Sequence, residues 1–97
     1  MHYILKDKEA VPCELLEWAK WFGTNDRTVA KNKFGKVLVS TVFIGLDHSL
    51  GIESRPLIFE TMVFGGPLNQ EMDRYSTWNE AVAGHEIMCA RVKGTKS

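Results

Sequence analysis

Among the side chains that could transfer protons or bind metal ions, three are candidates because of their positions in the sequence: His48, Glu60 and His85. Two histidines and one carboxylate form a common ligand set for a divalent transition metal. Their positions match none of the short spacings that place metal ligands on one helix, such as His-x-x-x-His or His-Glu-x-x-His. We therefore treat them as separate candidates, and we expect neither a metal ion nor an organic cofactor.

Each of these three candidates also has a structural explanation. His48 follows a strand, where it could act as an acid, a base or a ligand, but Asp47–His48 is also typical of a turn. Glu60 lies inside an apolar strand, so it is either a buried functional carboxylate or one that is exposed or paired with a basic residue of the next strand. His85 lies on the apolar side of a helix, which favours a hydrogen-bonded core histidine.

A second group of residues suggests a site for a small phosphorylated ligand, such as a nucleotide. Glycines allow close approach of the backbone, Arg74 could bind phosphate through two N–H groups, and a helix that begins after Thr77 offers free N–H groups to an anion. The glycine pair lacks the rest of a phosphate-binding loop, so a simple turn before a capped helix is the alternative. The candidate ligand-binding residues are Gly65, Gly66, Arg74, Tyr75, Thr77 and Trp78.

No catalytic nucleophile is indicated. No serine lies in a Gly-x-Ser-x-Gly context. Cys13 and Cys89 form no Cys-x-x-Cys pair and no zinc spacing with the histidines, which indicates reduced thiols. The sequence thus favours a protein that is not an enzyme.

Two helices would position these residues. The first is predicted to begin at Pro12, because the first turn does not need its missing N–H, and to end at Gly23. The second is predicted to begin at Thr77, where Thr77 and Glu80 match a capping box. The predicted apolar stripes are Leu15, Trp18, Ala19 and Phe22 in the first helix, and Ala81, Val82, His85, Met88, Cys89 and Val92 in the second.

Four strands are predicted around these helices, at His2–Leu5, Arg27–Lys31, Lys36–Leu46 and Leu57–Phe64. The order β-α-β-β-β-α implies an α+β domain in which two helices pack on a small, mainly antiparallel sheet. Both faces of the third strand are apolar, so this strand is either central in the sheet or covered on its outer face by a second helix or by another subunit. We expect the core face to consist of Leu38, Ser40, Val42, Ile44 and Leu46.

The bulk properties fit a single domain over residues 1–97. The formal net charge is zero, which does not favour a protein held mainly by nucleic-acid phosphates. Lysines 31, 33 and 36 gather near one turn, which is most often a solvated hairpin end. No long apolar run is present, and no signal peptide is recognised at the N-terminus, so we expect a cytoplasmic protein that does not enter a membrane.

Three segments carry a resemblance to a known family: Ser40–His48, Leu57–Gly66 and Arg74–Ala81, the last followed by Gly84–His85. Together they resemble small proteins common in bacteriophage and prophage genomes. The resemblance brings no known activity or binding residues with it. It implies a phage gene product in the bacterial cytoplasm, and by analogy an inhibitor of a host defence system.

Binding to a protein is the function that this sequence favours. The partner would be a host or phage protein, or a second copy of the chain, held on the spare apolar side of the sheet. Two alternatives belong to other classes: a binder of a small phosphorylated ligand at the Gly65–Thr77 corner, and a metal-dependent enzyme that uses Glu60 and a histidine.

Overall fold

A computed structural model of the chain describes residues 2–47 and 55–95, and it confirms the predicted α+β class. The described part contains a two-stranded sheet, a four-stranded sheet and two helices, and all strand pairs are antiparallel. The chain order is β-β-α-β-β-β-β-α, so two strands were missed. The elements are β1 His2–Lys6, β2 Glu9–Cys13, α1 Leu15–Thr24, β3 Thr28–Phe34, β4 Val37–Phe43, β5 Phe59–Phe64, β6 Met72–Tyr75 and α2 Trp78–Gly94.

The first missed strand is β2, and its presence corrects the predicted start of α1. Asp7 and Lys8 have φ values of 51° and 69°, which is the backbone of a tight turn between two antiparallel strands. The hairpin places Pro12 opposite Tyr3 in the two-stranded sheet, a position where an edge strand tolerates the missing N–H. The helix therefore begins at Leu15 instead of Pro12.

The larger sheet has the strand order β3-β4-β5-β6, and α2 lies across all four strands. It packs on one side, which we call the covered face and which carries the fully buried Val39, Thr41 and Phe43 of β4. The hairpin and α1 contribute to the same side, since Leu5 and Trp21 pack against the cluster around Phe43. Both helices thus share one side of the sheet.

The prediction of the core face of β4 was therefore wrong. The predicted core residues Leu38, Ser40 and Val42 are only half-buried and point to the opposite side of the sheet. Alternation could not decide between two apolar faces, because each carries one hydroxyl residue, Ser40 on the predicted core face and Thr41 on the true one. The Thr41 hydroxyl is tolerated in the core because it is hydrogen-bonded there.

Helix α2 matches its prediction closely. Thr77 Oγ1 accepts a hydrogen bond from the Glu80 N–H, and the Glu80 carboxylate accepts one from the Thr77 N–H, which forms the predicted capping box. The stripe is buried at every predicted position except Val82. Val82 is half-buried, so it lies at the margin of the contact with the sheet.

Helix α1 departs from its prediction. Leu15 and Ala19 of the predicted stripe are exposed, whereas Trp21, which lies off that stripe, packs edge-on against Phe43 with the ring centroids 5.4 Å apart. Trp18 and Phe22 of the predicted stripe are half-buried like Trp21, so the side of this short helix that faces inward carries its aromatic residues and not its aliphatic ones. Neither described helix combines the length and the apolar character that a membrane crossing requires.

Candidate functional site

The residues predicted to form one phosphate site lie at two ends of β6. Gly65 and Gly66 follow β5 and lie against Lys36 and Val37, at the turn between β3 and β4. Thr77 follows β6 and caps α2 at the other end of that strand. The structure therefore does not bring the glycines together with the N-terminus of the helix.

The remaining members of that predicted site are already engaged in internal contacts. Arg74 donates from Nε to Glu60 Oε2 over 3.1 Å, and both side chains are partly buried. Trp78 packs edge-on against Phe59, with a centroid distance of 6.4 Å. Tyr75 points into the core, where its hydroxyl donates to Thr61. A phosphate bound by the other nitrogens of Arg74 would lie beside the negatively charged Glu60 carboxylate, which disfavours it.

The histidine and carboxylate candidates are also separated. Glu60 is paired with the basic residue of the neighbouring strand, one of the two explanations that the sequence left open. His85 lies on the covered face, while Glu60 lies on the other side of the sheet, level with Val42. His48 falls outside the described residues. Across residues 2–47 and 55–95, no three His, Cys, Asp or Glu side chains are grouped as a metal site.

A hydrogen-bonded chain that the sequence analysis did not foresee crosses the covered face beneath α2. The Tyr75 hydroxyl donates to Thr61 Oγ1 over 3.1 Å, and the hydroxyls of Thr61 and Thr41 are hydrogen-bonded to each other. Thr41 Oγ1 lies 2.7 Å from His85 Nδ1, and His85 Nε2 lies 2.7 Å from Asn32 Oδ1. The chain Tyr75–Thr61–Thr41–His85–Asn32 thus links all four strands of the large sheet to α2.

Chemistry fixes the direction of every bond in this chain when His85 is neutral. Asn32 Oδ1 can only accept, so the imidazole carries its hydrogen on Nε2 and its Nδ1 must accept from Thr41. Thr41 then accepts from Thr61, and Thr61 accepts from Tyr75. All hydrogens point from Tyr75 towards Asn32.

Burial favours the neutral forms of the two titratable members of the chain, His85 and Tyr75. It lowers the pKa of His85 below its usual value, against an opposing effect of the Glu86 charge. It raises the pKa of Tyr75, and the bond to Thr61 offsets part of that shift. Because an uncharged phenol and an uncharged imidazole can satisfy each other through hydroxyl groups, the core accommodates the buried Thr41, Thr61 and His85, with the half-buried Tyr75 and the exposed Asn32 at the two ends.

Two threonines in the sequence, Thr41 and Thr61, could have indicated this hydrogen-bonded chain. Thr41 lies between Val39 and Phe43, and Thr61 lies between Phe59 and Val63 at the directly opposed position of the next strand. A hydroxyl at the centre of each of two adjacent apolar strands requires a partner. Together with a histidine on the apolar side of α2, this pattern could have predicted the core of the network.

Cys89, His85 and Asn32 have the composition of a cysteine-hydrolase triad, but their geometry does not support one. The imidazole nitrogen that would activate a thiol instead accepts from Thr41. The Cys89 thiol is 3.9 Å from Asn32 Oδ1 and buried, and burial raises its pKa. A raised pKa disfavours the nucleophilic thiolate, so this group is structural.

A groove of about 410 Å³ lies between β6 and α2, on the Tyr75 side of the hydrogen-bonded chain. Arg55 and Arg91 line it, but each is ion-paired, to Glu80 over 2.9 Å and to Glu71 over 3.2 Å. An anionic ligand in this groove would therefore compete with a carboxylate for each guanidinium. The apolar side chains of the groove are Leu57, Ala83, Ile87 and Met88.

The side of the large sheet opposite α2, which we call the open face, carries an apolar patch. Phe64 and Met72 are 46% and 41% exposed, and neither described helix packs over them. Lys31 and Lys33 stand along the β3 edge, and no described carboxylate pairs with either of them. From the β3–β4 turn inward, the cross-strand rows are Lys33–Leu38–Phe64, Lys31–Ser40–Met62–Met72 and Thr28–Val42–Glu60–Arg74.

No protein family, no curated protein and no solved structure matches this chain. What the chain does has to be inferred from its own geometry and chemistry.

Proposed function

We propose that this chain is a protein-binding module and that the open face of its four-stranded sheet is the binding surface. The observation that carries the proposal is the row of apolar side chains on that face, with no described helix to cover it. Exposed apolar patches bordered by polar groups are typical of interaction sites. The patch residues are Leu38, Val42, Met62, Phe64 and Met72.

The composition of the patch suits an interface. Met62 and Met72 stand side by side, and methionine side chains adapt their shape to a partner at low cost. Glu60 and Arg74 neutralise each other at the far end of the patch, so they can be buried as a pair. The centre of the face can therefore be desolvated without leaving an unpaired charge.

The charges at the β3 edge indicate an acidic partner. Lys31 and Lys33 project on the same side as the patch, one beside Ser40 and one beside Leu38. Carboxylates next to an apolar surface of the partner would complement them, which favours fast and specific association. We therefore commit to a partner protein that presents apolar side chains flanked by Asp or Glu.

A second copy of the chain fits this face less well. In a twofold face-to-face dimer, β3 lies over either β3 or β6 of the other copy. On this face β3 carries lysines and β6 carries Met72 and Arg74, so neither strand offers a carboxylate to Lys31 or Lys33. The one acid among the rows, Glu60, lies in the interior strand β5 and is held by Arg74.

In keeping with the resemblance to phage proteins, the partner we propose is a host or phage protein of the bacterial cytoplasm, and the outcome we propose is inhibition of a host defence protein. The other two functions predicted from the sequence have less support. A phosphorylated ligand at Arg74 would lie beside the Glu60 carboxylate, and a metal site would have to join Glu60 and His85 across the sheet.

The test is comparative capture from a bacterial lysate, followed by binding measurements with the purified captured protein. Met62→Glu places a charge at the centre of the open face, and a double variant Lys31→Glu with Lys33→Glu reverses the charge at its edge. Ile87→Glu is the matched control, because Ile87 is a 64% exposed apolar residue of α2 on the opposite side of the sheet. We expect the same protein to be captured by the wild type and the control, and lost with both face variants.

Two further measurements make the result decisive. The affinity of the purified pair should fall with rising salt, and Asp→Lys or Glu→Lys changes on the partner should restore binding to the double lysine variant. Sedimentation should give a monomer. Equal capture by all four proteins rejects the open face, and a wild-type dimer that Met62→Glu converts to a monomer shows that a second copy occupies it instead.

A further inference from the structure

We infer that the hydrogen-bonded chain Tyr75–Thr61–Thr41–His85–Asn32 is a proton-linked switch. Uptake of one proton at His85 reverses the hydrogen bonds between the hydroxyl groups, and the Tyr75 hydroxyl then donates its hydrogen towards the groove between β6 and α2. The inference is independent of the open face, because every member of the chain lies on the covered face.

The reversal follows from which atoms can donate. A protonated imidazole donates from both nitrogens, so Nε2 keeps its bond to Asn32 while Nδ1 becomes a donor to Thr41 Oγ1. The Thr41 hydrogen must then turn to Thr61, and the Thr61 hydrogen must turn to Tyr75. No bond of the chain is lost, but each one from His85 to Tyr75 changes direction.

The end of the reversed chain is the Tyr75 hydroxyl, which now accepts from Thr61 and must donate elsewhere. Tyr75 borders the groove between β6 and α2, where water or a bound group can accept that hydrogen. A second groove lies beside β3, at the Asn32 end of the chain, and is lined by Asn32, His85 and Lys93. The two grooves lie at opposite ends of the same hydrogen-bonded path.

The surroundings of His85 contain few other charges. On α2, Glu86 favours the protonated form, and Cys89 stays neutral one turn further on. On β3, Lys31 and Lys33 belong to the open face, and the facing residue is the uncharged Asn32. The facing residues of β4 and β5 are threonines. On β6, Tyr75 shares the covered face with Asp73, the residue directly opposed to Thr61. On α2, Lys93 lines the same groove as His85. Reversal of the hydroxyls is therefore the local response available to the proton.

The first test is the tautomer of His85 in the full chain at neutral pH, read from its ring ¹⁵N chemical shifts. We expect the hydrogen on Nε2. A hydrogen on Nδ1 overturns the inference, because the chain could not then run from Tyr75 to Asn32. This measurement needs no variant, so it does not depend on the folding of any mutant.

The second test is a pH titration of the folded protein by NMR. We expect the ring signals of Tyr75 to change with the same midpoint as those of His85. A His85 that stays neutral until the chain unfolds, or a Tyr75 that does not respond, overturns the inference.

Tyr75→Phe removes the last acceptor of the reversed chain, so the Thr61 hydrogen has no acceptor when His85 is protonated. We expect His85 in this variant to bind a proton about tenfold more weakly than in the wild type. Tyr3→Phe makes the same chemical change at the tyrosine of the hairpin and should leave the midpoint unchanged. Equal midpoints in Tyr75→Phe and the wild type overturn the inference.

Discussion

Replacement of Gly84 by alanine tests how closely Tyr75 is held against α2. A Cβ atom at Gly84 would lie well inside 3.0 Å of Cε1, Cζ and Oη of Tyr75, a separation that real Cβ atoms essentially never show. The tyrosine ring would have to retreat, but its hydroxyl is bonded to Thr61. The variant therefore either strains the helix against the sheet or breaks the first bond of the buried chain.

The magnitude follows from three opposing contributions. Crowding of a closely packed site costs about 1–3 kcal/mol, and loss of the bond to Thr61 costs about 1 kcal/mol more. Alanine in place of glycine inside a helix returns up to about 1 kcal/mol. We therefore expect Gly84→Ala to lower the free energy of unfolding by about 1–3 kcal/mol.

Urea denaturation followed by tryptophan fluorescence measures this difference, with Gly94→Ala as the control. Gly94 ends the same helix, and a Cβ there would meet nothing within 4 Å. The control should be as stable as the wild type or slightly more stable. If Gly84→Ala is also as stable as the wild type, the close contact between Tyr75 and α2 is not real.

Three further outcomes are expected. Thr77→Ala removes the N-cap of α2 and should cost about 1 kcal/mol in the same denaturation assay, whereas Asn79→Ala in the first turn should cost much less. Because burial lowers the pKa of His85 in the folded state, the unfolded chain binds the extra proton first as the pH falls below about 6.5. Stability should therefore be highest above that pH and decline below it, and a His85→Gln variant should show a shallower decline. Met62→Glu on the open face should change stability by less than about 1 kcal/mol, since it is only half-buried, and a larger loss would mean that the face is covered.

The sequence predicted α2 well because several signals agreed there. The Thr77–Glu80 capping box marks where the helix begins, and the apolar period identified its buried side down to Val92. The hairpin was missed because Pro12 suits a helix start and an edge strand equally well, and only pairing with Tyr3 decides between them. Strand β6 is not among the predicted strands, because Met72–Tyr75 is short and polar and its strand conformation depends on pairing with β5.

The candidate sites were harder to predict, because they depend on which side chains meet across strands. Arg74 and Glu60 are directly opposed on neighbouring strands, so the candidate phosphate-binding residue is ion-paired with the candidate functional carboxylate. His85 was correctly placed on the apolar side of its helix. Its partners Thr41 and Asn32 come from two other strands, and no local pattern around residue 85 contains them.

Because both helices lie on one side of the large sheet, alternate residues of each strand differ in their surroundings: one set is packed in the core and the other faces the open side. The core contains the fully buried Val39, Thr41 and Phe43, whereas their neighbours Leu38 and Val42 are only half-buried on the open face. Substitutions at the open-face positions of β4 and β5 should therefore lower the free energy of unfolding less than substitutions at the covered-face positions.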